Sequence, residues 1–155
     1  MPREFGSKIE SPAILQKGVT SFYFFGRPVK ITTPKITTIF IVEDDPSLQF
    51  LLGLMLEGPE FKILGVASDG EEAVEMFKRF AEKPQIILMD HRMPKKTGLD
   101  ATREILASSK TPKIIFASAD TSIKAAAFSS GAVDFLKKPF KREALIKSIE
   151  AALKK

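Results

Sequence analysis

Short apolar runs alternate along residues 36–155 with stretches in which apolar residues recur every three or four positions. The apolar runs cover 36–42, 61–67, 85–89, 113–117 and 133–136. The stretches with a helical period cover 46–57, 70–81, 99–107, 121–130 and 141–153. A continuously apolar run is typical of a strand buried on both faces, and alternating strands and helices favour a parallel sheet covered by helices. The pattern therefore predicts an α/β domain of five strand–helix units.

Residues 1–35 follow a different pattern, with four prolines, three glycines and no helical period. Within them, 19–25 is rich in β-forming residues, 26–28 supplies turn residues and 29–32 could form a return strand. This leader is interpreted either as a small β-hairpin or as a poorly ordered or vector-derived segment. The aromatic cluster at 22–25 favours a docking surface over a nucleic-acid platform. We assign the leader to 1–35 and the domain to 36–155.

Composition narrows the classes of function. The chain has 155 residues, no run of about 18 apolar residues that would predict a membrane span, and no compact secretory signal. Cysteine is absent, which excludes disulfides, Cys–zinc sites and thiol catalysis and fits a reducing cytoplasm. The single histidine, His91, excludes a multi-histidine metal site and is interpreted as a bystander. The net charge is +5, but 18 basic and 17 acidic residues nearly balance in the domain, so no nucleic-acid partner is expected for it.

Polar residues follow the predicted strands at the points where each strand ends. The acidic residues 43–45 follow the first strand, Asp90 the third and Ser118 the fourth, and Lys138 lies near the end of the fifth. Ligands bind at the carboxyl ends of parallel strands, and clustered carboxylates favour a hard cation such as Mg²⁺. A hydroxyl and an ammonium group could then bind phosphoryl oxygens. Together these residues predict phosphoryl transfer onto Asp90.

Five segments in this order and spacing resemble the receiver domain of response regulators in two-component signalling. They are IVEDDP at 41–46, ILMDHRMP at 87–94 with Gly98, ASA at 117–119, GA at 131–132 and KPF at 138–140. Each segment alone is a weak signal, and their combination is specific. The resemblance implies a (βα)5 flavodoxin-like fold with strand order 2-1-3-4-5.

The resemblance also implies roles for the acidic residues. By position, Asp90 corresponds to the phosphoacceptor. Asp44 corresponds to a direct Mg²⁺ ligand, and Glu43 to a ligand acting through water. The backbone carbonyl of Arg92 corresponds to a further metal ligand. Glu43 and Asp44 could instead cap the first helix, a role that we assign to Asp45 because it precedes Pro46.

Three further positions correspond to the family's switch machinery. Ser118 takes the place of the switch hydroxyl, and Lys138 takes the place of the invariant lysine, with Lys137 as its neighbouring alternative. The peptide bond before Pro139 is commonly cis in the family. Phe135 occupies the place of the aromatic switch, and its other interpretation is an ordinary core residue. Ser118 could likewise be an ordinary loop serine.

The resemblance implies a stand-alone switch rather than an enzyme. A histidine kinase or phosphotransfer protein would phosphorylate Asp90, and the output would be changed binding of an unknown downstream protein or a homodimer. The chain ends soon after the fifth helix, which favours output through a partner. The alternatives are a phosphorylation-independent interaction module and an aspartyl-phosphate phosphatase. Such phosphatases typically need a carboxylate two residues after the nucleophile, where this chain has Arg92.

Two departures from the family pattern carry expectations. The interval from Ser118 to Gly131 is about two residues shorter than is common, which predicts a short or reshaped fourth helix.

The second departure is Arg92, whose long cationic side chain could cover a phosphoryl group and hinder the attacking water. We therefore expect slow self-dephosphorylation. Chemically measured decay of the phosphorylated protein should become faster in Arg92→Asn, and a rate that changes little would contradict this expectation.

Overall fold

The computed structural model describes residues 19–32 and 34–155. The chain divides into two units, Met1–Lys35 and Ile36–Lys155. No helix in the described ranges is long and apolar enough to cross a membrane.

The described part of the first unit is a β-hairpin. Strands β1 (Val19–Phe24) and β2 (Arg27–Thr32) pair antiparallel, with Phe24 opposite Arg27. The two loop residues, Phe25 and Gly26, have φ of 48° and 71°. Two positive-φ residues form the type of turn whose twist suits a two-residue hairpin, and glycine adopts that conformation readily. The predicted turn at 26–28 was therefore wrong by one residue at its start, and Pro28 lies within β2.

The second unit is built on a five-stranded parallel sheet. Its strands are β3 (Thr37–Val42), β4 (Phe61–Ala67), β5 (Ile86–Met89), β6 (Lys113–Ser118) and β7 (Asp134–Lys137). Their spatial order is β4-β3-β5-β6-β7. Numbered within this unit, the order is 2-1-3-4-5, as predicted. Every residue of β3 and β5 is buried, which explains why these strands are continuously apolar or nearly so.

Helices cover both faces of the sheet. They are α1 (Pro46–Met55), α2 (Gly70–Arg79), α3 (Gly98–Ser108), α4 (Lys124–Ser129) and α5 (Arg142–Leu153). Successive residues of β3 point to opposite faces, so Phe40 joins a core with α2, α3 and α4, whereas Ile41 joins a core with α1 and α5. The sheet is thus the middle layer of a three-layer unit, and its strands end in loops at one edge.

The fourth helical segment differs from the sequence prediction. A 3₁₀ turn at Thr121–Ile123 precedes α4, which has six residues, where one helix was predicted over 121–130. Asp120 caps the turn by accepting a hydrogen bond from the Ser122 amide. This local side-chain bond competes with a regular first helical turn. The short fourth helix agrees with the short spacing between Ser118 and Gly131.

Candidate functional site

The strand order places three carboxylates together at the carboxyl edge of the sheet. Glu43 follows β3 directly, Asp44 is the next residue, and Asp90 follows β5. Because β3 and β5 are neighbours, the Asp90 amide donates to the Val42 carbonyl at 2.9 Å. One oxygen from each carboxylate lies within 4.8 Å of the other two. Glu43 and Asp90 are buried at 2% and 8% exposure, whereas Asp44 is exposed.

Lys138 brings a positive charge to this cluster. Its amide donates to the Ser118 carbonyl at 3.0 Å, which continues the pairing of β6 with β7. Its Nζ lies 2.5 Å from Glu43 Oε2 and 3.3 Å from Asp90 Oδ1. The neighbouring Lys137 is exposed. The Lys138–Pro139 peptide bond is cis, as the resemblance implied.

The three carboxylates outnumber the ammonium group that faces them. Burial raises the pKa of Glu43, although its hydrogen bond with Lys138 acts in the opposite direction. Burial also raises the pKa of Asp90, although the charge of Lys138 lowers it. The charged forms of both groups are therefore disfavoured in this environment. A divalent cation would supply the missing positive charge, and three converging carboxylate oxygens suit Mg²⁺.

The remaining predicted residues lie around the same cleft, apart from Phe135. The cleft is lined by Glu43, Asp44, Asp90, Arg92, Ser118 and Lys138, among others. Ser118 is the last residue of β6 and is buried, and its Oγ accepts a hydrogen bond from the Asp120 amide at 3.2 Å. Asp45 caps α1 as predicted, accepting from the amides of Ser47 and Leu48 at 2.7 and 3.3 Å.

Phe135 lies in the core rather than in the cleft. It is buried in the middle of β7 and belongs to the apolar cluster that includes Phe116 of β6 and Ala127 of α4. Its side chain therefore occupies an inward position beside the short fourth helix. This placement fits a core residue, and a switching role for Phe135 stays a prediction.

The loop between Asp90 and α3 is held close to the site by its backbone. The His91 carbonyl accepts hydrogen bonds from the amides of Met93 and Gly98. A Cβ on Gly98 would lie 2.0 Å from the Asp90 carbonyl oxygen, so only glycine allows this approach. In the described part of the chain, Nδ1 of His91 is buried without a hydrogen-bond partner, and the bystander role of His91 stays a prediction.

Two contacts at this site were missed by the sequence analysis. Arg92 forms an ion pair with Asp120, with 2.7 Å between Nη2 and Oδ2. Lys95, with φ of 63°, forms an ion pair with the largely buried Asp69 at the start of α2, with 2.9 Å between Nζ and Oδ2. The position of Asp120, two residues after Ser118, was the available signal for the first contact. No local sequence pattern points to the second, because it joins two distant segments.

The sequence of this unit matches a known family. Residues 39–150 match the family described as "Response regulator receiver domain". The chain belongs to this family. Its fold agrees, since the parallel five-stranded sheet and five helices are those of solved receiver domains.

The share of a relative's sequence that aligns with this chain differs from one relative to another. Transcriptional regulatory protein PdtaR of Mycobacterium tuberculosis is 34% identical over 116 residues, which are 74% of this chain and 56% of PdtaR. Chemotaxis protein CheY of Thermotoga maritima is 32% identical over 118 residues, 75% of this chain and 97% of CheY. This chain thus spans little more than half of PdtaR and nearly all of CheY.

A solved structure with metal is also similar. It is the receiver domain of sensor histidine kinase PA1611 from Pseudomonas aeruginosa, with a magnesium ion coordinated in the active-site cleft. The identity is 29% and the TM-score 0.67, over 77% of this chain and 99% of that one.

We expect Asp90→Asn to stabilise the metal-free protein at neutral pH, because the substitution removes one negative charge from a cluster of crowded carboxylates. A carboxyl group whose pKa is raised on folding is less favourable in its charged form in the folded protein than in the unfolded chain. We expect the free energy of unfolding in urea, with chelator present, to rise by up to about 1 kcal/mol.

Asp45→Asn is the matched control, because it removes an exposed carboxylate from the same cleft and asparagine caps a helix equally well. Its effect should stay within about 0.5 kcal/mol. Destabilisation by Asp90→Asn, or an equal gain in both variants, would contradict the account of the cluster.

Proposed function

We propose that this protein is a phosphorylation-controlled signalling switch that accepts a phosphoryl group on Asp90. The phosphoryl donor would be a histidine kinase or a phosphotransfer protein. The observation that carries the proposal is the cluster that the Asp90 carboxylate forms with Glu43 and Asp44, together with its ion pair with the Lys138 ammonium. Membership of the receiver family supports it.

The reaction would transfer a phosphoryl group from a histidine nitrogen of the donor to a carboxylate oxygen of Asp90. A carboxylate oxygen of Asp90 attacks the phosphorus atom of a phosphohistidine, the new O–P bond forms and the P–N bond breaks. The bonding electron pair of the P–N bond stays on the imidazole nitrogen. Water later attacks the phosphorus of the acyl phosphate, which returns the Asp90 carboxylate and releases inorganic phosphate.

The residues of this chain would place and stabilise that group. Asp44 and Asp90, with Glu43 through water and the Arg92 carbonyl, would hold Mg²⁺. The metal, when bound, neutralises charge that develops on the phosphoryl oxygens. Lys138 lies 3.3 Å from Asp90 Oδ1 and can pair with one phosphoryl oxygen. The Ser118 hydroxyl, at the end of β6, can donate to another.

The output would be a change in partner affinity. Movement of Ser118 toward the phosphoryl group would bias the packing of Phe135 and of the short α4, which changes the surface around them. Binding of a downstream protein and formation of a homodimer are both compatible with such a change. A cytoplasmic location of the protein stays a prediction. The protein would catalyse only its own phosphorylation and dephosphorylation. The alternative is an interaction module that keeps the scaffold without using phosphate.

The test is intact mass after incubation with a small acyl phosphate and Mg²⁺. Wild-type protein should gain the mass of one phosphoryl group. The gain should be absent in Asp90→Asn and in wild type with chelator, because the first lacks the nucleophile and the second lacks the metal.

Asp134→Asn serves as a second aspartate control, because Asp134 lies in β7 and accepts a hydrogen bond from Ser148 away from the cleft. It should be phosphorylated like wild type. A folded wild-type protein that gains no mass, or that gains it equally in Asp90→Asn, would contradict the proposal and favour the interaction module.

A further inference from the structure

An ion pair joins the two loops on either side of the Asp90 cleft. Arg92 lies two residues after Asp90 and Asp120 lies two residues after Ser118, at the ends of the neighbouring strands β5 and β6. Arg92 Nη2 is 2.7 Å from Asp120 Oδ2, and both residues line the cleft that contains Asp90. The Arg92 side chain is 78% exposed. Water therefore screens the pair, and exchanging its partner costs little.

The second oxygen of Asp120 binds the segment that leads into α4. Asp120 Oδ1 accepts from the Ser122 amide at 3.0 Å and from the Ser122 hydroxyl at 2.5 Å. The Asp120 amide donates to Ser118 Oγ. Asp120 thus contacts Arg92, the Ser118 hydroxyl and the 3₁₀ turn at once.

The cations that line the cleft differ in the carboxylates with which they form ion pairs. Among the residues that the structure describes, two cations line the cleft, Arg92 and Lys138. Five carboxylates line it as well, those of Glu43, Asp44, Asp45, Asp90 and Asp120. Lys138 already contacts Glu43 and Asp90. Arg92 instead forms its ion pair with Asp120, which lies outside the cluster of Glu43, Asp44 and Asp90.

Phosphorylation would add negative charge to the cleft that Arg92 lines, so the phosphoryl group would compete with Asp120 for the guanidinium group. An acyl phosphate on Asp90 replaces one carboxylate charge by a phosphoryl group of about two negative charges. A guanidinium group can bind phosphoryl oxygens through paired N–H donors, whereas its hydrogen bond with Asp120 is donated by Nη2 alone.

We infer that Asp120 is a positioning residue that holds Arg92 in the unphosphorylated protein and yields it to the phosphoryl group on Asp90. This inference rests on the proposed function of Asp90. The exchange would break the tie between the loop after β5 and the 3₁₀ turn, while Asp120 stays bound to Ser122. The 3₁₀ turn before α4 would then lose its ion pair with the loop after β5 and keep the backbone hydrogen bond from Asp120 to Ser118 Oγ.

The exchange can be measured with beryllofluoride, a mimic of the phosphoryl group, titrated with Mg²⁺ into the full chain. Amide NMR signals of the cleft would report the apparent affinity. Because Asp120 competes for Arg92, Asp120→Asn should bind beryllofluoride about three- to tenfold more tightly than wild type. Asparagine keeps an acceptor for the Ser122 amide, and thermal unfolding would verify that each variant is folded.

The deciding comparison repeats Asp120→Asn in an Arg92→Gln background. Asp45→Asn, which removes a carboxylate from the same cleft with no contact to Arg92, measures the effect of charge alone. When Arg92 is present, we expect Asp120→Asn to increase the affinity for beryllofluoride more than Asp45→Asn does. When Arg92 is replaced by Gln, the two substitutions should increase that affinity equally.

Two other results would contradict the inference on Asp120 or the proposed function of Asp90. An equal gain from Asp120→Asn in both backgrounds would overturn the inference, because Asp120 would then act only as a negative charge. Failure of folded wild-type protein to bind beryllofluoride would contradict the proposed function of Asp90, and the inference with it.

Discussion

The contact between Lys138 and the buried carboxylates of Glu43 and Asp90 is the interaction on which the site depends. Two carboxylates at the end of a buried sheet are costly unless positive charge accompanies them. A single ammonium group meets part of that need, and burial still raises the pKa of both acids. We propose that the remaining deficit of positive charge gives the cleft an affinity for a divalent cation. A phosphoryl group can then be held where carboxylates alone would repel it.

The topology of the sheet creates this arrangement from segments far apart in the chain. Residue 43 reaches residue 90 because β3 and β5 are adjacent, and residue 138 reaches both because β7 pairs with β6 at the same edge. The helices on both faces bury β3 and β5, so the loops at the strand ends carry the polar groups. Gly98 brings the loop after β5 back against Asp90, and Arg92 of this loop lines the cleft.

The sequence predicted the strands and the strand-end residues well because both depend on local pattern. Residues 39–42, directly before Glu43, are all apolar, as is typical of a strand buried on both faces, and the chemistry of the acidic residues follows from their type. The Arg92–Asp120 pair was missed because Arg92 is a long side chain whose partner depends on three-dimensional packing. The 3₁₀ turn before α4 depends on the side-chain bonds of Asp120 and Ser122, which compete with a helical pattern that looks continuous in the sequence. The hairpin turn shifted by one residue because Phe25 adopts a positive φ, a conformation that residue type alone does not favour.

The carboxylate cluster is short of positive charge, and we propose that it binds Mg²⁺ for this reason. The most direct measurement is a Mg²⁺ titration of the full chain followed by amide NMR, in wild type and in Asp44→Asn. Asp44 is the exposed member of the cluster, so its replacement should leave the fold intact. The account predicts saturable shifts at residues 43–45 and 90–92 in wild type, and binding about tenfold weaker or more in Asp44→Asn. Shifts that fail to saturate in wild type, or equal affinity in the variant, would contradict it.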